Sequence, residues 1–167
     1  GDGNFNASTN TLAGGQVVNK AGTATAVASS VNPSVYGQSV TFAVAVTASA
    51  PGAGTPTGTV QFKTNGADFG SAVALSSTGT ASSASVSSLV VATHTVTAEY
   101  SGDGSFNAST NTLAGGQVVN KANTATAVAS SANPSVFGES VTFAVSVTAS
   151  APGAGTPTGT VQFKTNG

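Results

Sequence analysis

The chain is 167 residues long, carries a net charge of −1 and contains no cysteine, methionine or tryptophan. Only 5% of it is charged and arginine is absent, against roughly 25% charged residues in an average soluble protein, so it has neither the basic patch that nucleic acid or an anionic membrane attracts nor a bidentate reader of phosphate. Disulfides, thiolate nucleophiles and cysteine-based metal sites are excluded, and no run approaches the ~18 apolar residues of a membrane-spanning helix.

Along the chain, residues alternate with a period of two and no helical period is found. Residues 1–20 open on the loop-like Gly1-Asp2-Gly3 and close on a Gln-Val-Val-Asn run before Lys20. Val27, set among Thr and Ala, marks a first strand. Turn residues follow at Asn32-Pro33-Ser34 and Tyr36-Gly37. Val40, Phe42, Val44 and Val46 then alternate with Thr41, Ala43, Ala45 and Thr47, the pattern of a half-buried strand. The loop Pro51-Gly52-Ala53-Gly54-Thr55-Pro56 leads to Val60 and Phe62, which alternate with Gln61 and Lys63. Asn65-Gly66 predicts a hairpin, since both residues tolerate positive φ. Ala84 and Val86 mark a Ser-rich strand, and Val96, Ala98 and Tyr100 a further one. After Gly102-Asp103-Gly104, Leu113 and Val118 or Val119 belong to a last strand in which Gly115-Gly116 predicts a bulge or bend. About seven short strands at this spacing indicate a β-sandwich.

The pattern then starts again. Residues 1–66 align without gaps on residues 102–167, and six of the 66 pairs differ: Asn4/Ser105, Gly22/Asn123, Val31/Ala132, Tyr36/Phe137, Gln38/Glu139 and Ala45/Ser146. An offset of 101 residues exceeds a solenoid unit and equals one sandwich domain. With the junction at Lys20-Ala21 and Lys121-Ala122, residues 1–20 are expected to be the C-terminal strand region of one repeat, 21–121 a complete repeat, and 122–167 the N-terminal half of the next. The ends then read as a window into a longer array or, alternatively, as pieces completed by strand exchange with neighbouring chains.

Three stretches carry a family likeness. They are Asn32-Pro33-Ser34-Val35-Tyr36-Gly37-Gln38-Ser39-Val40-Thr41-Phe42, then Gly54-Thr55-Pro56-Thr57-Gly58-Thr59-Val60-Gln61-Phe62, and Thr93-His94-Thr95-Val96-Thr97-Ala98-Glu99-Tyr100-Ser101-Gly102-Asp103 followed by Phe106. Together they resemble the bacterial immunoglobulin-like repeats of large surface proteins, over the whole of 21–121 and, through the repeat, both flanking pieces. The resemblance implies tandem all-β immunoglobulin-like sandwiches, secretion or display on the cell surface, and a spacer or adhesive role. It brings no catalytic residues. The buried Trp and paired Cys of antibody domains are absent.

The residues themselves offer little chemistry. His94 is the single histidine and is expected as a half-buried strand residue. No Gly-x-Ser-x-Gly turn is present, and no enzyme or cofactor is expected. Asp103, between two glycines, is the one Ca²⁺ candidate, but a single carboxylate per loop is too few for a tight site, and an Asx turn accounts for it. Asp68 and Glu99 read as isolated carboxylates. Asn107-Ala108-Ser109 matches the N-glycosylation pattern.

The outward side of the strands is the unusual feature. Thr41, Ala43, Ala45, Thr47, Ser83 and Ser85 are expected there, where charged guards normally stand. Such faces predict packing against other copies of the same repeat, in a rod, stalk or self-assembling filament. The alternative is an adhesin module for a glycan or a surface protein of a host or neighbouring cell, with Tyr36, Phe69 and Phe106 as loop-contact residues. No nucleic acid and no membrane insertion of this segment are expected.

Overall fold

Alternation of apolar and small polar residues gives strands rather than helices, and no helix occurs among the described residues, which are 1–165 of the computed structural model. Asn166 and Gly167, the last two residues of the expected third unit, lie outside them. The strands are β1 (Thr23–Ser29), β2 (Ser34–Val35), β3 (Phe42–Ala48), β4 (Thr59–Thr64), β5 (Ala67–Asp68), β6 (Val73–Ala74), β7 (Thr80–Ser82), β8 (Ala92–His94), β9 (Val96–Tyr100), β10 (Ser109–Thr112), β11 (Gln117–Asn120), β12 (Thr124–Ser130) and β13 (Phe143–Ala149). One layer has the order β1-β3-β7. Facing it is β10-β9-β4-β5, with β6 also on β4, and the short sheet β2-β11-β8 continues that layer.

The core lies between the layers. Phe42, Val44 and Val46 of β3 meet Val60 and Phe62 of β4 and Val96, Ala98 and Tyr100 of β9, all buried. Period two places every second residue inward, and burying each such side chain contributes about 1.5–3 kcal/mol. Asn65 and Gly66 both take positive φ, 51° and 84°, and close β4 onto β5 in the expected two-residue hairpin.

Three details differ from the sequence reading. The Ser-rich strand sits earlier, at β7, and Val86 makes only an isolated bridge to Val40. Between them Ser83 is buried, not outward: its Oγ accepts from Phe42 N at 3.0 Å and donates to Ala84 O at 2.8 Å. A side-chain oxygen thus replaces a backbone carbonyl and interrupts the ladder. The last strand is two strands in two sheets, β10 on β9 and β11 on β8 and β2. Gly115 and Gly116, at φ 74° and 70°, lie in the turn between them, where residues 113–116 stand opposite only 95–96, between the pairs Thr112↔Thr97 and Gln117↔His94, so the expected bulge or bend falls at the break between the two ladders.

Beyond the sandwich, β12 pairs β13 antiparallel in the register of β1 with β3, each partner moved by 101 residues, from Thr124↔Ala149 to Ser130↔Phe143.

Candidate functional site

Asp103 sits where the chain turns between β9 and β10. Its Oδ2 accepts from Thr57 N at 2.8 Å and Thr57 Oγ1 at 2.6 Å, and its Oδ1 from Ser105 N and Phe106 N, both at 2.8 Å. The Thr57 hydroxyl and amide, with the Ser105 and Phe106 amides, hold the carboxyl far below the usual carboxylate range. Tyr100, buried at the end of β9, donates its hydroxyl to Thr57 O in the same corner. Desolvation first, then the Asp103 charge, raises the Tyr100 pKa. Across the junction Lys20 Nζ donates to Asp103 O at 2.5 Å. Both carboxylate oxygens are thus engaged by N–H and O–H donors, which a cation would have to displace. The geometry is an Asx turn reinforced by a second loop.

His94 closes β8 and is buried at 5% exposure, deeper than expected. Its Nε2 donates to Val90 O at 2.8 Å, which leaves Nδ1 to accept from Asn65 Nδ2 at 3.0 Å. Asn65 also accepts from Thr95 N through Oδ1. The histidine therefore ties the β4–β5 hairpin to the β8–β9 segment. Asp68 and Glu99 are not isolated: Lys63 Nζ lies 2.9 Å from Glu99 and 3.8 Å from Asp68, at the surface, because β4 pairs with both β5 and β9. The Lys63 pKa is raised, chiefly by the hydrogen bond to Glu99. Among the described residues, no group of three or more His, Cys, Asp or Glu gathers where a metal would sit.

The three aromatic contact candidates divide. Phe106 is buried, bridges Ala21 through the backbone and belongs to the core. Phe69 packs edge-on against Phe42, with ring centroids 6.1 Å apart, at the margin of the same core. Burial removes Phe106 from the surface role expected of it, and Phe69 is only partly exposed. Tyr36 alone is exposed. The amide of Asn107, in the glycosylation pattern, donates to Lys20 O at 3.3 Å.

Gln117, which sequence reasoning passed over, is fully buried. Its Oε1 accepts from Ser29 Oγ at 2.5 Å; its Nε2 donates to Val31 O, Ser34 Oγ and Val118 O at 3.0–3.1 Å. The knot joins β11 to the end of β1 and to β2. Its signal was parity: in Gln117-Val118-Val119-Asn120, Gln117 shares the inward side with Val119. The polar groups brought together here hold loops and strands in place.

A family model described as bacterial Ig-like domain (group 3) matches residues 25–120, more than half of the chain, from within β1 to the last residue of β11. No curated protein and no solved structure matches the chain.

Proposed function

The chain belongs to the bacterial Ig-like domain family, group 3, and from that premise we propose that it is a non-catalytic structural segment of an extracellular or cell-surface protein, in which consecutive sandwiches form a rod whose copies associate side by side. The observation that carries this reading is the outer face of the β1-β3-β7 sheet. Ala24, Ala26 and Ala28 stand there beside Thr47, Ala45 and Ala43, with Thr80 and Ser82 next in register. None of the three strands holds a charged residue. A solvated sheet face ordinarily carries polar and charged side chains. A face of methyls and hydroxyls costs little to desolvate and admits a like face closely. The same composition recurs on β12 and β13, where Ala125, Ala127 and Ala129 oppose Thr148, Ser146 and Ala144. The tandem reading rests on that recurrence and on the offset of 101 residues. The adhesin alternative drew on three aromatic residues, of which Phe106 is buried in the core and Phe69 is partly buried against it.

Electron microscopy and sedimentation of the chain test this. Ordered lateral assemblies are expected, and the double variant Ala26→Lys/Ala45→Lys, which sets two like charges opposite each other across β1 and β3, is expected to disperse them with its β-sheet circular dichroism unchanged. A monodisperse monomer at high concentration overturns the proposal.

A further inference from the structure

Tyr36 has partners that the structural reading does not use. It follows β2, and its amide donates to Asn120 O at 2.8 Å, so the Tyr36-Gly37 turn is anchored to the strand that leaves for the junction at Lys121-Ala122. Across that junction Tyr36 O accepts from Ala154 N at 3.2 Å. The tyrosine ring lies over Gly155: a Cβ built there would stand 3.3 Å from Cε1. A Cβ at Gly37 would collide with the Ala154 backbone, whereas at Gly138, the equivalent turn glycine 101 residues on, it would meet nothing within 4 Å. Gly37 is therefore crowded by the contact across the junction, not by its own turn. Beside the ring is an apolar cleft of about 230 Å³ whose lining includes Val91, Ala122, Ala149 and Pro157.

The sandwich supplies a precedent for this mode of contact. Gly54 is the counterpart of Gly155, with φ 106° against 104°, and a Cβ there would lie 3.4 Å from Phe106 Cζ. The Pro-Gly-Ala-Gly-Thr-Pro loop thus receives an aromatic ring on a bare glycine in both places, once from its own sandwich and once from the segment before it. We propose that the Tyr36-Gly37 turn docks on the loop 153–157 as a latch, so that successive segments are held at a set angle rather than hinged. The partner is the following repeat, recognised by ring-on-glycine packing and one backbone hydrogen bond. Phe137 presents the same chemistry at the equivalent turn and is fully exposed, available to the loop of a further unit.

The latch rests on the succession of repeats in that reading but not on their side-by-side association, and it serves a spacer and a binding module alike; failure of lateral assembly bears on the association alone. The test is NMR on the whole chain. Nuclear Overhauser cross-peaks are expected between the Tyr36 ring protons and the Gly155 α-protons. Tyr36→Ala should speed amide exchange at Ala154 by roughly tenfold while the core amides of Phe42 and Phe62 keep theirs, because local opening leaves the global fold untouched. Phe137→Ala should change nothing at Ala154. Absent cross-peaks in the unaltered chain, or Ala154 exchange that ignores the loss of the ring, would overturn the latch.

Discussion

Residues 21–64 and 122–165 are nearly the same sequence, with five differences in 44 pairs, yet they end in different environments. Both form the same antiparallel strand pair in the same register. In the first, Phe42 and Phe62 are fully buried; in the second, their counterparts Phe143 and Phe163 are 50% and 44% exposed. Pairing is a local property that neighbouring strands settle between themselves. Burial is not, because the side chains over Phe42 and Phe62 come from β9, such as Val96, Ala98 and Tyr100, and from the turn after it, Phe106. The same contrast holds at the other end: Phe5 is 73% exposed, while its counterpart Phe106 is in the core.

Substitutions at equivalent positions sharpen this comparison, and the largest effect is expected in the core. Phe42→Ala should cost about 3–5 kcal/mol in urea unfolding followed by tyrosine fluorescence, as cavity-forming core truncations do. Phe143→Ala should cost under about 1 kcal/mol, since its ring is half-exposed. Equal costs would mean that the two segments are packed alike in solution.

The next effect is polar. Gln117→Leu removes the buried amide that the Ser29 and Ser34 hydroxyls and the Val31 carbonyl share, leaves Ser29 Oγ only Val31 O and Ser34 Oγ only a 3.4 Å contact to Val118 O, and should cost about 1–3 kcal/mol. Gln16, its exposed counterpart, bonds only to the adjacent Val17 O, so Gln16→Leu should stay within about 0.5 kcal/mol of the parent. A large loss at Gln16 would show that residues 1–20 are buried against something in solution.

The smallest effect is electrostatic and depends on pH. The Asp103 pKa is lowered in the folded chain by its hydrogen-bond donors. Its contribution is therefore complete above the ordinary Asp range and fades as pH falls from about 5 toward the lower native value. Melting temperatures recorded against pH should fall on acidification, and Asp103→Asn should flatten that fall. Asp2 accepts from Asn4 N and Phe5 N, the local half of the same turn, without a threonine from another loop.

Much of this was legible beforehand because it is written in near neighbours. The alternation through Val40–Val46 put Phe42, Val44 and Val46 inward, and Asn65-Gly66 closed the hairpin it predicted. The Asx turn at Asp103 was also read correctly from its glycine neighbours. Ser83 was misplaced because its hydroxyl competes with a carbonyl for Phe42 N, a contest that residue type does not reveal. Phe106 and Phe69 follow turn residues, a position that points outward because turns are ordinarily outside, but packing puts Phe106 in the core and Phe69 partly against it.

The all-β class, the inward sides of β3, β4 and β9, and the 101-residue recurrence are legible in the residues alone. These follow from the two-residue period of an extended chain and from direct identity of residues. The three-dimensional packing alone shows that Gln117 rather than an apolar residue joins β11 to β1 and β2, that Thr57 reinforces the Asp103 turn, and that Tyr36 faces the next segment. Each of those is a relation between residues more than forty positions apart, which the local pattern does not encode.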